Sequence, residues 1–346
     1  MAVAAYGRRR TGRPTLEDVA ARAGVGRGTA SRVINGSPRV RPATREAVER
    51  AVAELGYVPN RAARALAANR TDALALVIPE PETRLFAEPY FSGIIRGVSA
   101  ELAATDYQLL LTLIGTPQER RRLGQFLTAH RVDGVLLLSV HADDPLPALL
   151  ERLALPAVLS GRRTAREPMP YVDSDNAGGA RAATEHLLAT GRRAIATITG
   201  PLDMYVARCR LDGYRQALAA AATHHPAPPL IAHADFTEEG GRRAMADLLD
   251  RNPALDAVFA ASDVMAAGAR AVLRERGRRV PDDVALVGFD DSPVARHMEP
   301  PLTSVRQPIE EMGRAMVRAL LGEIAERHSP GARLVLPTEL VLRSSG

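Results

Sequence analysis

Residues 15–66 read TLEDVAARAGVGRGTASRVINGSPRVRPATREAVERAVAELGYVPNRAARAL, and their punctuation constrains everything around them. Thr15 and Asp18 stand as N-cap and third helical residue of a capping box, in which each side chain satisfies a backbone N–H near the other. Leu16, Val19, Ala20 and Ala23 recur at helical spacing until Gly24 ends the run. A second short helix is expected over Arg27–Ile34, closed by Asn35-Gly36. A third starts at Pro42, a favourable first residue, and carries Ala47, Val48, Ala51, Val52 and Leu55 on one face before Gly56. Two short helices around a glycine turn, with a third to close the core, predict a helix-turn-helix domain. In that geometry the N-terminal residues of the second helix meet base edges in the major groove. Here they are Arg27, Gly28, Thr29, Ser31 and Arg32. Arginine pairs bidentately with guanine, and hydroxyls reach bases or phosphates. Gly24-x-Gly26-x-Gly28 is not a dinucleotide loop, because it follows a helix rather than a strand and its spacing is wrong.

Charge supports a nucleic-acid partner for this segment. Residues 1–70 hold 14 arginines against Glu17, Asp18, Glu46, Glu49 and Glu54, whereas residues 71–346 hold 31 arginines against 35 acids. A basic module on a mildly acidic body is the electrostatic pattern of a DNA reader with a separate regulatory part. The imbalance survives removal of the basic tail, residues 1–13. All 45 cationic residues are arginine. The absence of lysine excludes Schiff-base chemistry and a phosphate-binding lysine of the GxxxxGK[ST] type. The same usage is expected from codon bias, given the heavy alanine content.

The 346 residues allow one large domain or two or three of ordinary size, and 46% hydrophobic residues provide ample core. Cys209 is the single cysteine, so no internal disulfide forms and a reducing cytoplasm is expected. Arg8-Arg9-Arg10 precedes no apolar stretch of the signal-peptide kind, and the apolar runs 73–78 and 135–138 are far too short to span a bilayer.

Along the body, short apolar runs alternate with amphipathic ones. Strands are expected at 73–78, 107–114, 135–139, 157–160, 194–199, 257–260 and 284–289, and a last one at 333–343. Helices are expected at 91–104, 117–129, 145–153, 177–189, 209–220, 237–249 and 265–276. Such alternation implies parallel sheets covered by helices, here two α/β lobes of about a hundred residues each. Ligands in open α/β sheets bind beyond the carboxyl ends of the strands, which puts a cleft between the lobes. His224, His225 and His233 lack carboxylate or cysteine support, so no metal site is expected. His141-Ala142-Asp143-Asp144 reads as a solvated loop. Cys209 lies between Arg208 and Arg210, which would lower a thiol's pKa if they faced it, although buried filler is the plainer reading. No nucleophile–base pair is assembled by local spacing, no cofactor motif is present, and the chain is not read as an enzyme.

Residues 15–66 resemble, almost position for position, the DNA-binding head of the LacI family of transcriptional regulators. RVDGVLLLS, YVDSDNAGGARAATEHLLATG, FAASDVMAAGARAVLRERG and VPDDVALVGFDDSPVARHMEPPLTSVRQP resemble the family's effector-binding core, which is similar to periplasmic sugar-binding proteins. The resemblance covers nearly the whole chain. It implies an all-α helix-turn-helix head (14–58) and a hinge helix (59–70). Beyond them it implies a body of two Rossmann-like lobes (71–346). It places Arg27 and Gly28 at the two main base-reading positions, supported by Ser31 and Arg32, with Thr15, Thr29 and Asn35 beside them. In the hinge it implies DNA contacts from Asn60, Arg61 and Ala63, and Leu66 as an apolar wedge between base steps in the minor groove. In the cleft it points to Tyr90, Phe91, Ser160, Arg210, Phe236, Ser262 and Asp290. Tyr90, Phe91 and Phe236 suit core packing or a ligand's apolar face equally. Arg210 and Asp290 suit hydroxyl recognition or a structural ion pair.

Three departures are visible. Gly26 replaces the family's helix-capping serine, Arg41 stands where serine is frequent, and Ser262 replaces an asparagine. Gly28, moreover, offers a base no side chain. The expected partners are a near-palindromic DNA operator, a small effector (a sugar, or else a purine) and a second copy of the chain. Without the head, the body alone would suit a solute-binding protein or an α/β enzyme. No leucine heptad follows the last strand, so a tetramer-forming tail is not expected.

Overall fold

The computed structural model describes residues 14–57, 70–221, 229–325 and 331–346. The chain divides into two compact units, Met1–Thr71 and Asp72–Gly346.

Among the described residues the first unit holds three helices: α1 (Leu16–Ala23), α2 (Arg27–Ile34) and α3 (Pro42–Leu55). The capping box forms as its spacing predicts, with the Asp18 amide donating to Thr15 Oγ1 at 3.3 Å and the Thr15 amide to Asp18 Oδ2 at 2.9 Å. Gly24 ends α1 at φ +66°, a conformation that costs a residue with a Cβ. α2 starts from Gly26 without any side-chain cap, and Pro42 opens α3. Val19, Ala20, Ala30, Val33, Val48 and Ala51 make the small core.

The described residues of the second unit form two six-stranded sheets. The first holds β1 (Ala73–Ile78), β2 (Gln108–Leu113), β3 (Gly134–Leu137), β4 (Ala157–Ser160), β5 (Tyr171–Ser174) and β11 (Arg333–Leu336), in the order β11-β5-β4-β3-β1-β2. The second holds β6 (Ile195–Thr199), β7 (Leu230–His233), β8 (Ala257–Ala260), β9 (Ala285–Asp290), β10 (Thr303–Arg306) and β12 (Glu339–Val341), in the order β12-β10-β9-β8-β6-β7. Among the described residues all pairings are parallel except β10 with β12. Strands sandwiched between helices are buried on both faces and read as continuous apolar runs. In β1, Leu74, Leu76 and Ile78 pack with Phe91, Ile94 and Met316 on one side, and Ala75 and Val77 with Leu123 and Leu127 on the other.

Two expectations change here. The single last strand expected over 333–343 is two strands, divided at Pro337, which belong to different sheets. The lobes are also not consecutive halves: the helix Ile309–Ala325 lies beyond β10 in sequence yet packs on the first sheet through Met312, Met316 and Leu320. The chain therefore crosses between lobes after β5, after β10 and between β11 and β12. The physical reason is tertiary: the first sheet's apolar face needs a covering helix that its own sequence segment does not supply.

Candidate functional site

In each sheet the strand order reverses beside the first strand of its lobe, between β1 and β3 in one and between β6 and β8 in the other. Loops leave in opposite directions at such a point and open a crevice. A cavity lies between the lobes, and its lining includes Arg84, Glu88, Ser139, Arg162, Asp173, Asn176, Met204 and Gln307, together with Tyr90, Phe91, Ser160, Arg210, Phe236 and Asp290. Six of the seven cleft residues singled out in the sequence thus meet at one place.

Arg210 is held through Nε and Nη1. Its Nε donates to Asn176 Oδ1 at 2.9 Å, its Nη1 donates to the Ala261 carbonyl at 2.5 Å, and Asp290 Oδ1 lies 3.7 Å from Nη1. Its guanidinium sits 3.7 Å above the Phe289 ring centre. Burial lowers its pKa against the pull of Asp290, and burial raises that of Asp290 against the pull of Arg210. Gln307 Nε2 donates to Asp290 Oδ1 at 2.6 Å, and Ser174 Oγ donates to Gln307 Oε1 at 2.5 Å. Asn176 Nδ2 donates to Asp173 Oδ1 at 3.0 Å, and Arg162 Nε to Asp173 Oδ2 at 2.7 Å. Asn176 and Gln307 stand where the chain crosses between lobes, so this network ties the crossing segments to the cavity wall.

Backbone strain marks the same wall. Asp290 has φ 110° and Phe236 has φ 62°, both in the region that non-glycine residues avoid. The Phe236 ring lies flat against Gly200, where a Cβ would meet it at 2.1 Å. Arg84 and Arg210 stand over that ring at 6.0 and 5.9 Å. Tyr90 Oη and Ser160 Oγ are 2.6 Å apart, and Phe91 is buried in the core beneath them. Packing and cavity lining, open alternatives for these aromatics, hold together for Phe91 and Phe236.

Ser262 is placed differently. It caps the helix Asp263–Glu275, accepting from the Met265 amide at 3.2 Å, and it is not among the lining residues. Glu88, Arg84, Arg162, Asp173, Asn176 and Gln307 are lining residues that the sequence reading did not select. Glu88 is the N-cap of the helix Pro89–Leu102 but makes no side-chain cap bond. Its carboxylate instead accepts from Arg84 Nε at 3.3 Å, while Arg84 Nη1 donates to Glu80 at 3.0 Å. Burial pushes the Glu88 carboxyl up to about 7.

The other candidates fall out simply. The segment 141–144 is not a solvated loop: His141 is half-buried between Glu80 and Asp203, and Asp144 is tied to Arg120 at 2.8 Å. Burial raises the Cys209 thiol, so its arginine neighbours do not activate it. His224 and His225 lie outside the described residues; His233 pairs with Thr199 Oγ1 at 3.0 Å. Among the described residues no three His, Cys, Asp or Glu side chains gather as a metal site.

On the head, Arg27, Gly28, Arg32 and Asn35 are exposed and Thr29 and Ser31 half-buried along α2. Arg27 Nε pairs with Glu17 at 3.0 Å, and Arg32 Nε folds back to the Gly28 carbonyl at 3.2 Å. Both contacts are surface bonds of small worth, readily exchanged for a phosphate or a base. Thr15 spends its hydroxyl on the cap. Asn60, Arg61, Ala63 and Leu66 lie outside the described residues.

Residues 15–60 match the model of bacterial regulatory proteins of the lacI family, and residues 184–346 that of a periplasmic binding protein-like domain. The chain is 55% identical over 336 residues to the HTH-type transcriptional regulator CelR of Thermobifida fusca, covering 96% of this chain and 98% of the relative. A solved transcriptional regulator CelR–cellobiose complex is similar at 53% identity and TM-score 0.75, over 96% of this chain and 100% of that one. The lac repressor dimer bound to operator and the anti-inducer ONPF is similar at 29% identity and TM-score 0.82, over 96% and 98%.

Proposed function

Because this chain belongs to the LacI family of bacterial regulatory proteins, we propose that its hold on an operator is governed by a small neutral sugar bound between the two lobes. The family makes it a DNA-binding transcriptional regulator, not an enzyme. The charge balance of the cleft supports the ligand class. Arg84 is shared by Glu80 and Glu88, Arg162 is held by Asp173, and Arg210 by Asp290. An anionic ligand would meet cations that are already neutralised. Sugar hydroxyls both donate to carboxylates and accept from guanidinium groups, so they add bonds without breaking the pairs. The Phe236 ring offers the apolar surface that one face of a pyranose needs. Cellobiose, named in the solved CelR complex, is the first ligand to test.

Two copies would place two heads on half-sites of a near-palindrome, in the manner of the lac repressor dimer on its operator. Arg27 and Arg32 are assigned to bases and phosphates. Asn60, Arg61, Ala63 and Leu66 are assigned to the hinge. No described helix is long and apolar enough to cross a membrane, and a cytoplasmic location is proposed. Selecting tight-binding duplexes from a random pool, then titrating cellobiose into the complex by fluorescence anisotropy, tests both halves. A shift in operator affinity supports the reading; absence of duplex binding at low salt would instead favour a pure solute-binding protein. Leu66→Ala is expected to abolish preference for the selected site while leaving salt-sensitive non-specific binding. Undiminished discrimination in a competition gel shift would refute the wedge.

A further inference from the structure

We infer that His141 and Asp203 form an ion-paired latch across the mouth of the cleft, which holds the lobes together without a ligand and sets how tightly the closed cleft retains one. The two residues stand on opposite lobes, each at its sheet's switch point: His141 in the loop after β3, Asp203 in the loop after β6. His141 Nδ1 is 2.6 Å from Asp203 Oδ2, and the Ala142 amide donates to the Asp203 carbonyl at 3.2 Å. The loops are thus joined twice within two residues.

Neither partner lines the cavity, but Ser139, Val140 and Met204, their close neighbours in sequence, do. Parting the lobes by a few ångströms breaks the pair, whereas exchanging one neutral ligand for another does not touch it. On its other side the ring is braced by Glu80, whose Oε1 lies 3.4 Å from His141 Nε2 and accepts from Ser139 Oγ at 2.5 Å. Glu80 is buried within the first lobe, so it orients the imidazole whether the cleft is open or shut. The pair therefore acts through lobe closure. Both residues are positioning residues.

The charged groups around His141 are Glu80, with Arg84 on its other oxygen, Asp203 from the opposite lobe, and Asp144 of its own loop, which is neutralised by Arg120. Hydrogen bonding to Glu80 first, and to Asp203 next, raises the imidazole pKa to about 9. Opening the cleft removes Asp203 and keeps Glu80, so the pKa is higher closed than open. Closure is then favoured below the open-cleft value, and that advantage is lost as pH rises through about 9.

The first test reads the pair directly in the full-length protein, by the NMR titration of ring-labelled histidines, with His141→Asn identifying the resonance. The midpoint is expected near 9 and to fall in Asp203→Asn; a midpoint indifferent to Asp203→Asn overturns the latch. The second reads its consequence and rests on the sugar reading above, with cellobiose as probe in calorimetric titrations at pH 7 and pH 10. Wild-type affinity is expected to drop about tenfold at the higher pH, the equivalent of one unit of differential protonation. His141→Arg, which keeps the charge and does not titrate, is expected to bind equally at both pH values. Asp203→Asn is expected to bind weakly at both. The same pH dependence in His141→Arg as in wild type refutes the latch. If wild type binds no cellobiose at either pH, the ligand assignment fails, while the histidine titration still decides the latch.

Discussion

A buried guanidinium that touches an asparagine, a backbone carbonyl, a carboxylate and an aromatic face cannot be removed for one purpose only. Arg210 holds Asp290 in a site from which water is largely excluded. Deleting one partner of such a pair leaves a buried charge uncompensated, at a cost of about 3–5 kcal/mol. Arg210→Ala is therefore expected to lose the effector response and also to lower the thermal midpoint of the body; an unchanged midpoint by calorimetry would show that the pair carries no net stability. Glu88 behaves in the opposite sense. Its pKa of about 7, raised from 4.5 mainly by burial, means that the native state keeps a proton which the unfolded chain has released. That stability is complete below about pH 4.5 and is lost as pH rises through 7. Glu88→Gln does not titrate, so it is expected to match wild type near pH 4.5. At pH 8 it is expected to exceed wild type by an amount on the order of 1–3 kcal/mol. Equal melting curves at pH 8 would contradict the assignment. These residues also show where sequence reading runs out. Arg210 and Asp290 are legible through the family resemblance, whereas Glu88 and Arg162 carry no local signal and Gln307, though inside a family-like phrase, has nothing in its own residue type to single it out. Gln307 meets Ser174 from a distant part of the chain, while Glu88 and Arg162 have partners four and eleven residues away and become informative only once folding buries them.

At the scale of elements, periodicity served best where burial alone decides. The strands at Ala73–Ile78, Ala157–Ser160 and Ala257–Ala260 coincide with their expected apolar runs. The helix Tyr205–Ala220 begins four residues earlier than the pattern suggests, because its N-cap Met204 provides no side-chain cap to announce it. β5 was missed because Asp173 and Ser174 are buried polar residues, tolerable in a strand only through Arg162 and Gln307. Helix contacts follow a different rule, visible only in three dimensions. A Cβ on Gly268 would lie 2.0 Å from the Glu238 carbonyl oxygen, and one on Gly241 2.2 Å from that of Met265. The helices Glu238–Arg251 and Asp263–Glu275 therefore touch backbone to backbone. Gly268→Ala must push them apart, and overpacking of this kind costs about 1–3 kcal/mol. Gly322→Ala, at a helix position with open space around it, is the control and is expected to be neutral or slightly stabilising. Equal urea midpoints for the two variants would refute the backbone contact.

For the molecule as a whole, the charge division and the cleft imply two ligands of different chemistry on one chain. The head's excess arginines are expected to make operator binding steeply salt-dependent, whereas the neutral sugar proposed for the cleft, held among compensated pairs, would be far less sensitive to salt. Linkage then constrains their coupling. Whatever factor the sugar changes operator affinity by, the operator must change sugar affinity by the same factor, within about 5- to 150-fold for couplings of this kind. With cellobiose as the sugar, the two factors are measured separately, by anisotropy with labelled operator and by calorimetry with and without unlabelled operator. Equal factors different from one are expected. A factor of one in both would mean that the cleft closes on its ligand without informing the head. Because the steep salt dependence belongs to the operator, the sugar's affinity for the free protein should fall only by the modest screening of the partly exposed His141–Asp203 pair while operator affinity collapses. A sugar affinity that falls as steeply with salt as the operator's would show that its site is not charge-balanced, and would point to an anionic ligand instead.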